Sequence, residues 1–68
     1  MTGTVRRFND KRGYGFIETD GGETSGDIYV HRENFKGNFR VLKPGERVEF
    51  TLRTGARGRY ADAVKLLE

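Results

Sequence analysis

Hydrophobic and polar residues alternate in short stretches along this chain. In residues 47–53 every second side chain is apolar, and a period of two predicts a half-buried β-strand. Turns that contain glycine or proline separate such stretches and predict five strands, at residues 5–8, 14–19, 27–31, 47–53 and 60–66. No window long enough for a helix has an apolar period of 3.6, so we expect only residues 32–36 to form a helical turn.

The five predicted strands indicate an all-β barrel. A chain of 68 residues is long enough for one small domain, so we expect residues 1–68 to fold as a single unit. Short antiparallel strands cover their edges best by closing on themselves. We therefore predict a five-stranded antiparallel barrel of the OB or SH3-like kind.

In two of the predicted strands, residues 14–19 and 27–31, rings fall at one set of alternate positions and aliphatic side chains at the other, that is, at positions of opposite parity. Alternate residues of a strand point to opposite faces. If the aliphatic residues face the core and the two strands pair as a hairpin, one outer surface carries four rings, those of Tyr14, Phe16, Tyr29 and His31. We assign Phe35 and Phe50 to the core instead.

Charge is distributed unevenly along the chain, which has a net charge of +3. Residues 1–17 and 32–47 are mainly basic, whereas residues 18–30 contain only acidic charges. A fold that joins the two basic stretches would present a surface typical of a polyanion binder. The acidic run lacks the spacing of a calcium loop and is interpreted as a solvated loop; it consists of Glu18, Asp20, Glu23 and Asp27.

The composition argues against several classes of function. The chain has no cysteine, which excludes disulfides and cysteine-ligated zinc and suits a reducing compartment such as the cytoplasm. His31 is the single histidine, so neither a catalytic histidine pair nor a histidine metal cluster can form. Neither a membrane span nor a secretory signal is predicted. We therefore expect a cytoplasmic protein that is not an enzyme and needs no cofactor or metal.

Residues 12–19, Arg-Gly-Tyr-Gly-Phe-Ile-Glu-Thr, have the most specific pattern in the chain. They nearly reproduce an RNA-binding motif, with Ile17 in place of valine and Thr19 in place of the final aromatic residue. Two rings on one face can stack on consecutive bases, at about 1–3 kcal/mol each, and we expect the flanking glycines to leave room for a flat base. Arg12 would contact a phosphate or stack through its guanidinium plane.

The whole chain resembles the cold-shock domain family. The resemblance is carried by residues 3–5, 8–9, 12–17, 27–31, 39–40, 45, 48–50 and 55–58. It implies a five-stranded OB-fold barrel that binds single-stranded RNA or DNA and acts as an RNA chaperone without ATP, affecting transcription or translation. It also implies ligand contacts by Arg6, Phe8, Arg12, Tyr14, Phe16, Asp27, Tyr29, His31, Phe39 and Arg57, with Arg40 as a phosphate contact. We expect a monomer.

Three arginines depart from the family's pattern. Arg7 stands where the family usually has tryptophan, Arg32 where phenylalanine commonly follows the histidine, and Arg59 where a loop proline is usual. A guanidinium can stack on a base and attract phosphate, so Arg7 and Arg32 join the candidate contacts, with more salt dependence and less preference for pyrimidines. The alternative is that each lost ring weakens binding by about 1–3 kcal/mol.

A competing hypothesis is an SH3-like module that binds proline-rich peptides on the same aromatic face. Such grooves tend to pair their rings with acidic side chains, whereas the predicted aromatic face here has arginines around it. We therefore favour single-stranded nucleic acid as the partner. RNA and DNA are both compatible with the pattern.

Overall fold

The structure, a computed structural model, describes residues 1–22 and 27–67. Their strands form a closed barrel in the order β1-β2-β3-β5-β4, with the bounds β1 Thr2–Asn9, β2 Tyr14–Thr19, β3 Ile28–His31, β4 Arg47–Gly55 and β5 Gly58–Leu66. Short 3-10 turns cover Asp20–Gly22 and Arg32–Asn34. The predicted five-stranded barrel is thus confirmed. A helical turn after β3 is confirmed for Arg32–Asn34 rather than for all of residues 32–36, and the turn at Asp20–Gly22 was not predicted. Glu23 of the acidic run and the rest of residues 23–26 lie outside the described residues.

One pair of neighbouring strands is parallel, in contrast to the purely antiparallel barrel that we predicted. β3 and β5 run in the same direction, with Tyr29 opposite Tyr60 and Val30 opposite Ala61. The other four neighbouring pairs are antiparallel. Strand directions cannot alternate all the way around a ring with an odd number of strands, so closure of five strands requires at least one parallel pair.

Aliphatic side chains fill the interior of the barrel. The predicted inward residues of β2 and β3 are buried, with Ile17 and Val30 fully inaccessible. Each such side chain stabilises the fold by about 1.5–3 kcal/mol. Phe50 is also buried, as predicted, whereas Phe35 is only partly buried and packs against the edge of the core. Among the described residues, the core consists of Val5, Ile17, Ile28, Val30, Leu42, Val48, Phe50, Ala61 and Val64.

β1 contains a bulge that turns two consecutive arginines outward. Val5 pairs with Ile17, but the next pair is Arg7 with Phe16, so Arg6 is an additional residue without a partner position on β2. Val5 is buried, whereas Arg6 and Arg7 are both exposed. Simple alternation would have directed Arg7 into the core.

A second bulge interrupts β5 at Ala63, which has a positive φ of 50°. Glu49 pairs with Lys65 and Thr51 with Asp62, so that the single residue between Glu49 and Thr51 on β4 opposes two residues on β5. As a result Ala61 and Val64, three positions apart, are both buried. Alternation alone therefore gives the wrong face for one half of this strand.

Candidate nucleic-acid interface

Three rings form a continuous outward surface on the β2–β3 hairpin, which we call the aromatic platform: Tyr14, Phe16 and Tyr29. The Tyr14 and Tyr29 rings are nearly parallel, with centroids 5.9 Å apart and 25° between planes. Phe16 lies edge-on to both, at 6.2 Å from Tyr14 and 6.1 Å from Tyr29. Tyr29 is exposed and the other two rings are partly exposed. The predicted arrangement of these rings on one outer face is confirmed.

The strand register explains why these rings meet. Tyr14 lies opposite His31, and Phe16 lies opposite Tyr29. Cross-strand neighbours on one face of an antiparallel pair are close enough for their side chains to interact. His31 therefore borders the aromatic platform beside Tyr14, as the hairpin prediction requires.

A second group of rings, the phenylalanine cluster, consists of Phe8, Phe35 and Phe39. Phe35 and Phe39 stack with centroids 4.7 Å apart, and Phe8 lies 5.8 Å from Phe35. All three rings are partly buried against the core. Phe8 and Phe39 were predicted as ligand contacts, whereas Phe35 was assigned to the core, against which it packs although it is only partly buried.

A groove of about 580 Å³ connects the phenylalanine cluster with the aromatic platform. Phe8 lies opposite Gly15, between the positions of Tyr14 and Phe16. The groove is lined by these three aromatic residues together with Gly15, Arg7 and Asn9. The two sets of rings are therefore parts of one surface.

The glycines beside Tyr14 are required for packing within the protein, contrary to the prediction that they leave room for a base. Gly15 is buried, and a Cβ there would lie 2.2 Å from the Arg7 carbonyl oxygen. Gly13 has a φ of 73°, and a Cβ there would lie 2.6 Å from Cδ of Arg32. Both glycines permit close packing within the protein, because only glycine tolerates these approaches or this φ without strain.

Arg7 lies directly on the aromatic platform. Its Cζ is 5.0 Å from the centroid of the Phe16 ring, which is within cation–π distance. The attraction to the ring holds the guanidinium beside Phe16, where it offers both a flat surface and a positive charge. Arg7, a predicted contact residue, thus lies on the aromatic platform at the position where the resembling family usually has a tryptophan.

Arg6 and Asp27, two predicted ligand contacts, form an ion pair with each other. The Nε of Arg6 is 3.6 Å from Oδ2 of Asp27, and its Nη1 is 3.2 Å from Oε1 of Glu18. All three side chains are at least partly accessible. The positive charge of Arg6 is therefore largely compensated within the protein, in contrast to that of Arg7.

His31 has one ring nitrogen engaged by the turn that follows β3. The backbone N–H of Glu33 donates to Nδ1 of His31 at 3.1 Å. A neutral imidazole that accepts at Nδ1 has its proton at Nε2. His31 thus offers a hydrogen-bond donor at the edge of the aromatic platform.

The other predicted arginines lie at two ends of the aromatic platform. Arg12 is exposed in the β1–β2 turn, where Asn9 Oδ1 accepts from its backbone N–H at 3.0 Å. The backbone N–H of Arg32 donates to the carbonyl oxygen of Gly13 at 2.7 Å, which brings the two basic stretches of the sequence together. Arg57 lies in the β4–β5 turn, and Arg40 is exposed beside Phe39.

Ion pairing divides the arginines into two groups. Arg47 bonds to Asp20, which also accepts from the Thr2 hydroxyl at 2.6 Å, and Nε of Arg53 lies 2.6 Å from Oδ2 of Asp62. The hydrogen bond from Arg53 lowers the pKa of Asp62 below its usual value, and the backbone N–H of Ala63 adds to this effect. Within residues 1–22 and 27–67, no ion pair engages Arg7, Arg12, Arg32, Arg40, Arg57 or Arg59.

Sequence reasoning missed Tyr60 as a member of this surface. Tyr60 lies opposite Tyr29 on the neighbouring strand, and both line a further groove that continues to Arg57 and Arg59. The signal in the sequence is that Tyr60 has the opposite parity to the small apolar Ala61, which is buried. The bulge farther along β5 obscured that signal.

Two other properties of the described residues bear on function. No helix in this part of the chain is long and apolar enough to cross a membrane. No cluster of three or more histidine, cysteine or carboxylate side chains in it is arranged to hold a metal ion.

A closed five-stranded barrel with outward rings and unpaired arginines is the architecture of an OB-type nucleic-acid-binding protein. Residues 1–67 match the family model described as the 'Cold-shock' DNA-binding domain. The chain belongs to this family, whose members bind single-stranded nucleic acids. The resemblance predicted from the sequence is confirmed.

Curated relatives match the chain over nearly its full length. The cold shock-like protein CspLB of Listeria monocytogenes is 43% identical over 98% of both chains. The cold shock-like protein of Thermotoga maritima is 42% identical over 100% of both chains. The major cold shock protein CspA of Pseudomonas aeruginosa is 38% identical over 98% of this chain and 94% of its own.

Proposed function

We propose that this chain binds single-stranded RNA or DNA on the aromatic platform and through the arginines around it. It acts in the cytoplasm, as a monomer and without catalysis, with residues 1–68 as one binding unit. The observation that carries the proposal is the outward face of the β2–β3 hairpin. There three rings remain accessible beside one another, whereas the buried core consists mainly of aliphatic residues.

Stacking supplies the part of the affinity that is independent of charge. A base that stacks on an aromatic side chain contributes about 1–3 kcal/mol, and every base has a face that can stack. The Tyr14 and Tyr29 rings are nearly parallel, while the guanidinium of Arg7 lies over Phe16. These groups offer successive flat surfaces to a strand whose bases are unpaired.

Phosphate attraction supplies the salt-dependent part. Arg12 and Arg32 lie at the Tyr14 end of the aromatic platform, and Arg57 lies at the Phe16 and Tyr29 end. Their charges are not compensated by ion pairs among the described residues. Phe39, in the phenylalanine cluster, and the adjacent Arg40 extend the same surface. Asp27 can accept a hydrogen bond from a base edge, in competition with Arg6.

RNA chaperone activity without ATP follows from this mode of binding. A duplex hides the faces of its bases, so a protein that stacks on bases binds the single-stranded form preferentially. Preferential binding shifts the equilibrium toward the unpaired strand by mass action. The protein would thereby affect transcription or translation of structured RNA.

Fluorescence anisotropy with a labelled single strand of about seven nucleotides tests the proposal. We expect binding that survives competition by duplex of the same length and that weakens as salt increases. Thr51→Ala, on the exposed side of β4, is the matched control and should bind equally well. An absence of binding at low salt would contradict the proposal and would favour the SH3-like interaction hypothesis.

A further inference from the structure

A second groove extends the aromatic surface toward the β4–β5 turn. It has a volume of about 550 Å³, and its lining includes Phe16, Tyr29, Tyr60, Arg57 and Arg59. Small-molecule sites in proteins span about 300–1,000 Å³. The groove is therefore large enough for a flat aromatic ligand, and it shares two rings with the aromatic platform.

Tyr60 holds its position in this groove through the parallel pairing of β3 with β5. It is the register partner of Tyr29, on a strand that lies about 4.8 Å away. Ala61 beside it is buried, so the Tyr60 side chain points to the outside of the barrel. A Cβ at Gly55 would lie 3.1 Å from Cε1 of Tyr60, which shows that the ring lies along the β4–β5 turn.

The charge of this groove is positive. Arg57 and Arg59 are exposed at its edge, and none of the described residues that line it is a carboxylate. Arg53, the register partner of Tyr60 on β4, is by contrast neutralised by Asp62. Rings beside uncompensated guanidiniums suit a ligand that has a flat base and a phosphate.

We propose that this groove is a further nucleotide subsite, in which one base stacks on Tyr60 and the adjoining phosphates contact Arg57 and Arg59. This inference rests on the proposed function and lengthens the site by one base beyond Tyr29. A proline-rich peptide is a poorer fit, because no acidic side chain lines the groove within residues 1–22 and 27–67.

The length dependence of affinity tests this subsite. Dissociation constants are measured for oligothymidylates from about four to about ten nucleotides, with the wild-type chain and with Tyr60→Ala. For long oligonucleotides Tyr60→Ala should weaken binding by roughly 5- to 150-fold, the fold-change that corresponds to the loss of one stacked base. For the shortest oligonucleotides, which are held by the aromatic platform, the two proteins should bind alike.

Tyr60→Phe is the matched control, since it keeps the ring and should retain the length dependence of the wild type. Tyr60→Gln provides a second variant without a ring if Tyr60→Ala does not fold. Arg59→Gln should reduce the magnitude of the slope of log K against log salt concentration for long oligonucleotides but not for short ones.

Failure of this inference is distinguishable from failure of the proposed function. If wild-type protein binds no oligonucleotide, the proposed function is wrong. If the wild type binds and Tyr60→Ala matches it at every length, the groove is not a subsite. If Tyr60→Ala weakens binding equally at all lengths, Tyr60 supports the aromatic platform and the additional subsite is ruled out.

Discussion

The outer faces of the β2–β3 hairpin and of β4 differ, although both regions bury aliphatic or aromatic residues at alternate positions. β4 buries Val48 and Phe50, and its outward residues in between are charged or polar. The hairpin buries residues in the same way, but its outward residues are the rings of the aromatic platform. The outward face of β4 thus closes its side of the barrel with polar residues alone.

The ion pairing of the arginines differs between the two regions as well. Arg47 and Arg53 on β4 are each engaged by an aspartate, whereas Arg7 lies over Phe16 and has no ion pair within the described residues. An exposed apolar patch with uncompensated charge at its border is typical of a binding surface. The contrast supports the proposal that the hairpin binds the ligand, whereas β4 contributes to the barrel.

The largest expected effect separates the two faces of β2. Ile17→Ala should reduce the free energy of unfolding by about 2–5 kcal/mol, because a fully buried side chain leaves a cavity. The adjacent Phe16→Ala should reduce it much less, because that ring is partly exposed. Urea denaturation followed by circular dichroism measures both. Equal losses would contradict the contrast and would assign Phe16 to the core.

Removing an outward ring should weaken binding while leaving the protein folded, in contrast to the core substitution. Phe16→Ala or Tyr29→Ala should weaken single-strand binding by about 1–3 kcal/mol per ring while the barrel stays folded. Anisotropy titrations at constant salt measure the affinity, and Thr51→Ala on β4 should leave it unchanged. Unaltered affinity in a folded double variant of the two rings would rule out the aromatic platform as the binding surface.

Alternation was sufficient to predict the aromatic platform from the sequence. Tyr14 and Phe16 differ in parity from Ile17, and Tyr29 differs from Val30, because β2 and β3 pair without a bulge over these residues. Each side chain in a regular strand points to the face that its position dictates. The fold class and these rings were therefore accessible to pattern reasoning.

Alternation failed where the backbone departs from a regular strand. Bulges at Arg6 and Ala63 change the face of every residue that follows, and residue types alone do not locate a bulge. This is why the exposure of Arg7 could not be derived from parity. Tyr60 precedes the second bulge, but because Ala61 and Val64 are both buried, no single alternation fits β5 and the face of Tyr60 could not be assigned. Phe35 follows the 3-10 turn, where no period of two applies.

The direction of the closing strand pair, in contrast, was predictable in principle. An odd number of strands in a ring excludes purely antiparallel pairing, and the long connection between β3 and β4 leaves β3 free to pair with β5 instead. Counting the strands would therefore have corrected the prediction. That parallel pair is also what brings Tyr60 beside Tyr29.

A ring placed at Arg7 should sharpen the contrast between the two faces. Arg7→Trp should tighten single-strand binding by about 1 kcal/mol, the lower end of the stacking range, since the guanidinium that it replaces already covers Phe16. The slope of log K against log salt concentration should fall in magnitude by about 0.7, as expected for one lost phosphate contact on a single strand. Titrations at several salt concentrations measure both quantities.

Thr51→Trp is the control for this substitution, because it adds the same ring to the outward face of β4. It should change neither the affinity nor the salt slope. If Arg7→Trp bound no better than the wild type, the interpretation of Arg7 as a replacement for a stacking residue would be wrong.

The smallest expected effect concerns the ion pair between Arg53 and Asp62 on the β4–β5 side. The pKa of Asp62 is lowered in the folded protein, first by the hydrogen bond from Arg53. A carboxyl group with a lowered folded-state pKa stabilises the fold fully at pH values above its unfolded pKa of about 3.9, and this contribution is lost as pH falls through the lowered value. Because the pair is exposed, the contribution is small and is screened by salt.

Asp62→Asn should therefore be slightly less stable than the wild type at neutral pH and equally stable in acid, below the lowered pKa of Asp62. Thermal unfolding of both proteins across this pH range measures the difference. Single-strand affinity at neutral pH should not change, because Asp62 holds an arginine on the face that serves the barrel. A marked change in affinity would instead assign Arg53 to the binding surface and would weaken the division between the two faces.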